Sequence, residues 1–138
     1  MNDLQHAKYV KHGIRAVNEG YLIDLRKELN MSRTTMAALI DVSVESLKRW
    51  EAGVQGMKHT TAARIGKWFA EAQGELDDFA ARDGNTSELL PIGTVVSRLG
   101  ISQQTVRQWC QDGEIRCVNL GVLGYFIYRS EITHREAA

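Results

Sequence analysis

Proline is nearly absent from this chain, with only Pro91 among 138 residues. Little therefore interrupts helices, because proline is the residue that removes a backbone donor and clashes with the preceding turn. Cysteine is scarce too. Cys110 and Cys117 alone give no disulfide framework of the kind that holds small secreted domains together, and they predict buried thiols in a reducing compartment. No apolar run approaches the ~18 residues needed to cross a bilayer. The opening "MNDLQHAKYVKHG" also lacks the apolar segment of a secretory signal. The expectation is a cytoplasmic protein without a membrane partner. Net charge is zero, with 17 basic and 17 acidic residues, which excludes the indiscriminate polyanion binding of a strongly basic chain.

Reactive constellations are missing as well. Cys110 and Cys117 lie seven apart without a histidine or further cysteine at metal-ligand spacing. His6, His12, His59 and His134 are scattered, and neither a phosphate-cradling loop nor a carboxylate pair in a telling context is present. The expectation is no enzyme, no metal and no cofactor.

What is present is a 43% hydrophobic content, enough for a packed core, and one pattern written twice. "LIDVSVESLKRW" and "RLGISQQTVRQW" align at an offset of 59 residues. The alignment pairs Ile40 with Leu99, Val42 with Ile101, Ser43 with Ser102, Ser46 with Thr105, Leu47 with Val106, Lys48 with Arg107 and Trp50 with Trp109. Two copies suggest two units of one kind, since a solenoid needs more.

In the first copy, "GYLIDLRKELN" spaces Leu22, Leu25 and Leu29 helically. Ser32 reads as the N-cap of "RTTMAALI", Asp41 as the left-handed residue of a tight turn, and Ser43 as a second N-cap opening "VESLKRWEAG". Gly53 ends that helix. Two short helices joined this closely, each with an apolar inner face, form a helix-turn-helix. The second presents Val44, Glu45, Lys48 and Arg49 outward. Between Arg26 and Lys67 eight basic residues meet four acidic ones, so a local basic face coexists with the neutral total.

"LRKELNMSRTTMAALIDVSVESLKRWEAG" resembles the Xre/Cro phage-repressor family of DNA-binding domains. The resemblance implies that Arg33 contacts backbone or base, that Val44, Glu45, Ser46, Lys48 and Arg49 face the major groove, and that Lys58 and His59 lie near phosphate. Asp41 stands where that family usually has a turn glycine, and Arg33 where it commonly has glutamine. A carboxylate such as Glu45 is repelled by DNA unless it accepts a hydrogen bond from a cytosine amino group.

The second copy leads into a different kind of segment. Pro91 suits a helix start, Val95, Val96 and Leu99 share a face, Gly100 makes the turn and Ser102 caps "QQTVRQWCQDG". "EIRCVNL" and "YFIYR" then read as strands of a hairpin around "GVLG". This stretch, over roughly residues 89–132, looks like the winged helix shared by MerR-type regulators and phage excisionases. The resemblance implies that Gln103, Gln104, Thr105, Arg107 and Gln108 face the groove, with Arg116, Asn119 and Arg129 serving the wing. The apolar tip "GVLG" departs from a basic, phosphate-gripping wing; it suits either packing against another protein surface or a backbone approach to DNA. "EITHREAA" does not continue into the dimerisation helix of MerR-type regulators, so no inducer-sensing part is expected.

Trp50 and Trp109 are expected in the core, anchoring the two hairpins. "NDLQHAKYVKHGIRAVN" predicts a further amphipathic helix, with Leu4, Ala7, Val10, Ile14 and Val17 on one side and an interruption at Gly13. The expected fold is mainly α, with two tandem helix-turn-helix domains, the second winged by a small β-hairpin. The first domain covers 1–81, a linker 82–88, and the second domain 89–138.

The function expected is sequence-specific binding of double-stranded DNA. The protein would be a transcriptional regulator, most simply a repressor of a phage, plasmid or other mobile element, reading a bipartite site. An excisionase-like recombination directionality factor is the alternative within DNA binding. A protein-binding antitoxin or anti-activator on the same scaffold is the alternative outside it. A homodimer, or a protein partner such as an integrase or another regulator, is compatible with each.

Overall fold

The computed structural model describes residues 2–53, 56–82 and 84–137, and the chain is mainly α-helical. Five helices make the first part: α1 (Asp3–Asn18), α2 (Tyr21–Glu28), α3 (Arg33–Leu39), α4 (Val44–Glu51) and α5 (His59–Arg82). The second part has β1 (Leu89–Pro91), α6 (Ile92–Leu99), α7 (Gln103–Asp112), β2 (Cys117–Asn119), β3 (Tyr125–Tyr128) and α8 (Arg129–Ala137).

The caps fall where the sequence puts them. Ser32, Ser43 and Ser102 each accept a hydrogen bond from the backbone N–H three residues on, at 3.1, 3.0 and 3.1 Å. In each case the cap hydroxyl also meets the hydroxyl at that position, that of Thr35, Ser46 or Thr105. The same device thus opens three helices, each satisfying a donor that the helix leaves unpaired. Asp41 has φ 57°, the left-handed geometry its turn requires. Arg64 of α5 braces that turn, donating from Nε to the Ile40 carbonyl and from Nη2 to the Asp41 carbonyl at 2.8 Å.

Helix α1 departs from the expected pattern. Gly13 does not interrupt it; the helix passes through unbroken and lies against α5 at that point. A Cβ on Gly13 would stand 1.8 Å from the Ala62 carbonyl oxygen, and one on Gly66 would stand 2.0 Å from that of Tyr9. Such close backbone approach leaves room only for glycine at these two positions. The helix therefore turns Gly13 and Ala16 inward, and Leu4, expected to be covered, is 82% exposed. At the junction of α1 and α2 the Tyr21 hydroxyl, with Arg15 adding to it, holds the Glu19 carboxyl below its ordinary pKa.

The sheet explains how the two parts meet. Its order is β1-β3-β2, all antiparallel, so Leu89–Pro91 adds a third strand to the expected hairpin. Pro91 favours an extended residue before it, which suits Leu90 to a strand. Successive strand side chains point to opposite faces, and here both faces are covered. Leu89, Val118, Phe126 and Tyr128 pack with the first part's core, which contains Leu25, Met36, Leu47, Trp50 and Phe79. Leu90, Cys117, Tyr125 and Ile127 pack with Val95, Val106, Ile115 and Ile132 in the second. The small sheet is a wall between two cores.

The tip "GVLG" is accordingly not a projecting wing. Residues Gly121–Leu123 form a 3-10 turn with Leu123 buried, and the preceding Leu120 is buried too. The turn lies against α5, with Gly121 facing the Glu75 side chain. The tip, expected to pack on another protein or to approach DNA by its backbone, packs instead against α5 of the same chain.

Segment 82–88 carries contacts of its own; Asp83 lies outside the described residues. Arg82 closes α5, Asn85 caps a short 3-10 turn, and Thr86 donates to Glu28 Oε1 of α2 at 3.2 Å. Asn30 Nδ2 reaches the Leu89 carbonyl at 3.4 Å, a further tie across the parts.

The cysteines require a correction. Cys110, near the end of α7, and Cys117, at the start of β2, are joined by a disulfide rather than left as buried thiols. Their Cα atoms stand 5.7 Å apart because the helix ends and the chain reverses into the strand within the seven-residue separation. Sequence spacing cannot reveal that reversal.

Candidate nucleic-acid interface

Helix α4 is fixed from below and free above. Leu47 and Trp50 point into the core, while Glu45, Lys48 and Arg49 are exposed and Val44 and Ser46 are half-buried. Ser46, expected at the groove, has its backbone and hydroxyl engaged in the Ser43 cap. Glu45 lies 3.9 Å from Lys48 on the same face, a loose exposed pair that leaves both groups in water. Ser43, Glu45, Ser46, Lys48 and Arg49 together line one shallow surface depression.

Glu51, the last residue of α4, sets the angle of this helix. Its carboxylate accepts from Arg26 of α2 through both oxygens, Nε at 3.2 Å and Nη2 at 3.3 Å, and from Arg33 Nε at 2.8 Å. Arg26 also donates to the Met31 carbonyl, so one guanidinium ties α2, the α2–α3 turn and α4. The family resemblance implies a DNA contact for Arg33, but the sequence does not reveal Glu51 as the group that holds it. Lys58 and His59 are exposed at the start of α5.

Helix α7 is seated differently. Val106 is buried, and Gln103, Gln104, Arg107 and Gln108 are exposed. Thr105 is half-buried in the Ser102 cap, and Gln108 Nε2 donates to Asp112 Oδ1 at 2.9 Å, one turn on. Trp109 differs from Trp50: it is only half-buried, with the Arg135 guanidinium 4.8 Å from its ring centroid. Helix α8 supplies that arginine, and its Ile132 is buried in the second core.

The residues assigned to a wing are turned to structural contacts. The Arg116 guanidinium sits 4.1 Å from the Tyr128 ring centroid. Asn119 Oδ1 accepts from the Gly121 N–H at 3.0 Å, and Arg129 donates to the Ser87 carbonyl. Arg116 and Asn119 nonetheless remain exposed. Among the described residues there is no cluster of three or more His, Cys, Asp or Glu that would hold a metal ion. No described helix is long and apolar enough to cross a membrane.

The braced turn and the two capped helices make α3 and α4 a helix-turn-helix, with basic residues exposed on its outer helix. Comparison agrees for the first part: a helix-turn-helix family model matches residues 22–68, from the start of α2 to Trp68 in α5. The match covers about a third of the chain and supports the Xre/Cro-type resemblance there; it does not reach α6 and α7. No curated protein and no solved structure matches the chain.

Proposed function

We propose that the protein is a transcriptional regulator, most simply a repressor of a phage, plasmid or other mobile element, that binds one bipartite site in double-stranded DNA. The observation carrying this reading is α4: a helix within the matched segment, anchored by Leu47 and Trp50, that presents Lys48 and Arg49 to solvent. Arg49 and Lys48 meet base edges or phosphates from α4, with Val44, Glu45 and Ser46 lining the same contact. Arg33 and Lys58 flank it. A guanidinium suits guanine, which offers two acceptors in the major groove. Helix α7 forms the second contact through Gln103, Gln104, Thr105, Arg107 and Gln108, with glutamine suited to adenine. Arg116 and Asn119 stand beside it.

Burial of Leu120 and Leu123 supports DNA over a protein partner, because the apolar tip that favours a protein-binding module is covered by α5. The first experiment is selection of sites from a random duplex library with the intact chain. A two-part motif is the expected result, and Arg49→Ala lowers affinity for it by about 1–3 kcal/mol. No enriched sequence overturns the reading.

A further inference from the structure

Between α3 and α7 runs a cleft of about 650 Å³ that belongs to neither helix-turn-helix alone. One wall is the outer side of α3, with Thr34 and Ala38; the other is one side of α7, with Gln103, Arg107 and Gln111; Asn119 and the apolar Met31, Leu39, Ile92 and Leu123 also line it. None of the described residues lining it is Asp or Glu, although the whole chain has as many acids as bases and the Glu75 carboxylate stands behind Gly121. Its polar groups are hydroxyls, amides and one guanidinium. That set can donate to an anion without repelling it. Arg33, next to Thr34 on α3, lines a shallow hollow with Lys48 of α4.

We infer that this cleft receives one sugar-phosphate strand of the DNA, gripped between α3 and α7. The inference rests on the DNA-binding reading and deepens it by dividing the labour of α7. The side bearing Gln103, Arg107 and Gln111 holds backbone. The side bearing Gln104, Thr105 and Gln108, which lines a separate hollow, is left for base edges. Because the strands β1–β3 pack into both cores, the cleft walls keep a fixed separation, and a strand lying between them fixes the register of both contacts.

The test uses the intact chain on its selected site. Arg107→Ala is measured across salt concentrations and across a panel of single-base-pair variants, beside Ala38→Glu, the size-matched neutral Ala38→Gln, and Arg49→Ala. A phosphate contact predicts an affinity loss of about tenfold, uniform over the panel, with the salt slope reduced by about one. Ala38→Glu weakens binding at least tenfold at an unchanged melting temperature, while Ala38→Gln stays within about twofold of the original chain. Loss of discrimination at a single base pair with an unchanged slope makes Arg107 a base reader and overturns the inference. Wild-type affinity of Arg107→Ala and Ala38→Glu beside a weakened Arg49→Ala takes the cleft off the DNA and leaves α4 on it. Absence of any binding by the unaltered chain removes both readings together.

Discussion

Arg33 and Glu51, at the first position of α3 and the last of α4, meet at 2.8 Å, and the same carboxylate clasps Arg26. The two helices of the first helix-turn-helix are thereby locked at their far ends, where the short turn at Asp41 has no leverage. The Glu51 and Arg26 side chains are 8% and 13% exposed, so the charges depend on each other for solvation. Glu51→Ala is expected to lower unfolding free energy by about 2–4 kcal/mol, since it leaves the Arg26 guanidinium shielded from water without its partner. Urea unfolding measures the loss, and a value below about 0.5 kcal/mol would make the clasp ornamental.

The contact of α1 with α5 predicts a steep cost for the smallest possible addition. Gly13→Ala places a methyl group 1.8 Å from a backbone carbonyl that no side-chain rotation can move away. The helices must separate, at about 3 kcal/mol or more. Gly74→Ala, where nothing lies within 4 Å of the added carbon, serves as the control and should be neutral or slightly stabilising. Thermal melts of the two variants should diverge.

Trp50→Ala should lower stability by about 3–5 kcal/mol, as truncation of a large buried aromatic does. Trp109→Ala should cost clearly less, because that ring is half-exposed at the edge of the second core, beside Arg135. Equal losses in chemical denaturation would contradict the different seating of the two repeat-related tryptophans.

The Cys110–Cys117 bond closes a short loop around the end of α7. Replacing both cysteines with serine is expected to lower stability by about 2–3 kcal/mol through the released chain entropy. Dithiothreitol should lower the melting temperature of the unaltered chain and leave that of the double variant where it is.

Much of the architecture was legible because it is local. Caps at Ser32, Ser43 and Ser102, the left-handed turn at Asp41 and the inward Leu47 and Trp50 each arise from a residue and its near neighbours. What escaped sequence reading depends on distant partners. Gly13 reads as a helix breaker until Ala62 and Gly66 are placed opposite it. Leu89 and Leu90, just before the helix start read at Pro91, carry no strand reading until β3 pairs with them. "GVLG" reads as an exposed tip until α5 covers it. At the interface, Lys48 and Arg49 were visible from helical periodicity. The Glu51 clasp, spanning 18 residues to Arg33 and 25 to Arg26, was not. Nor was the cleft that α3 and α7 make between them.

The two-faced wall of β1–β3 also bears on the order in which the protein comes into being. Helices α1–α5 leave the ribosome first, with the patch that will receive Leu89, Leu120, Leu123 and Phe126 still uncovered. The roughly forty residues between Phe79 and Leu123 take about 2–8 s to synthesise at ordinary elongation rates. During that interval the nascent first part presents an apolar surface that only later chain can cover. Its folding is therefore completed by its own C-terminal part, and a chain stopped before β1 would keep that apolar surface exposed.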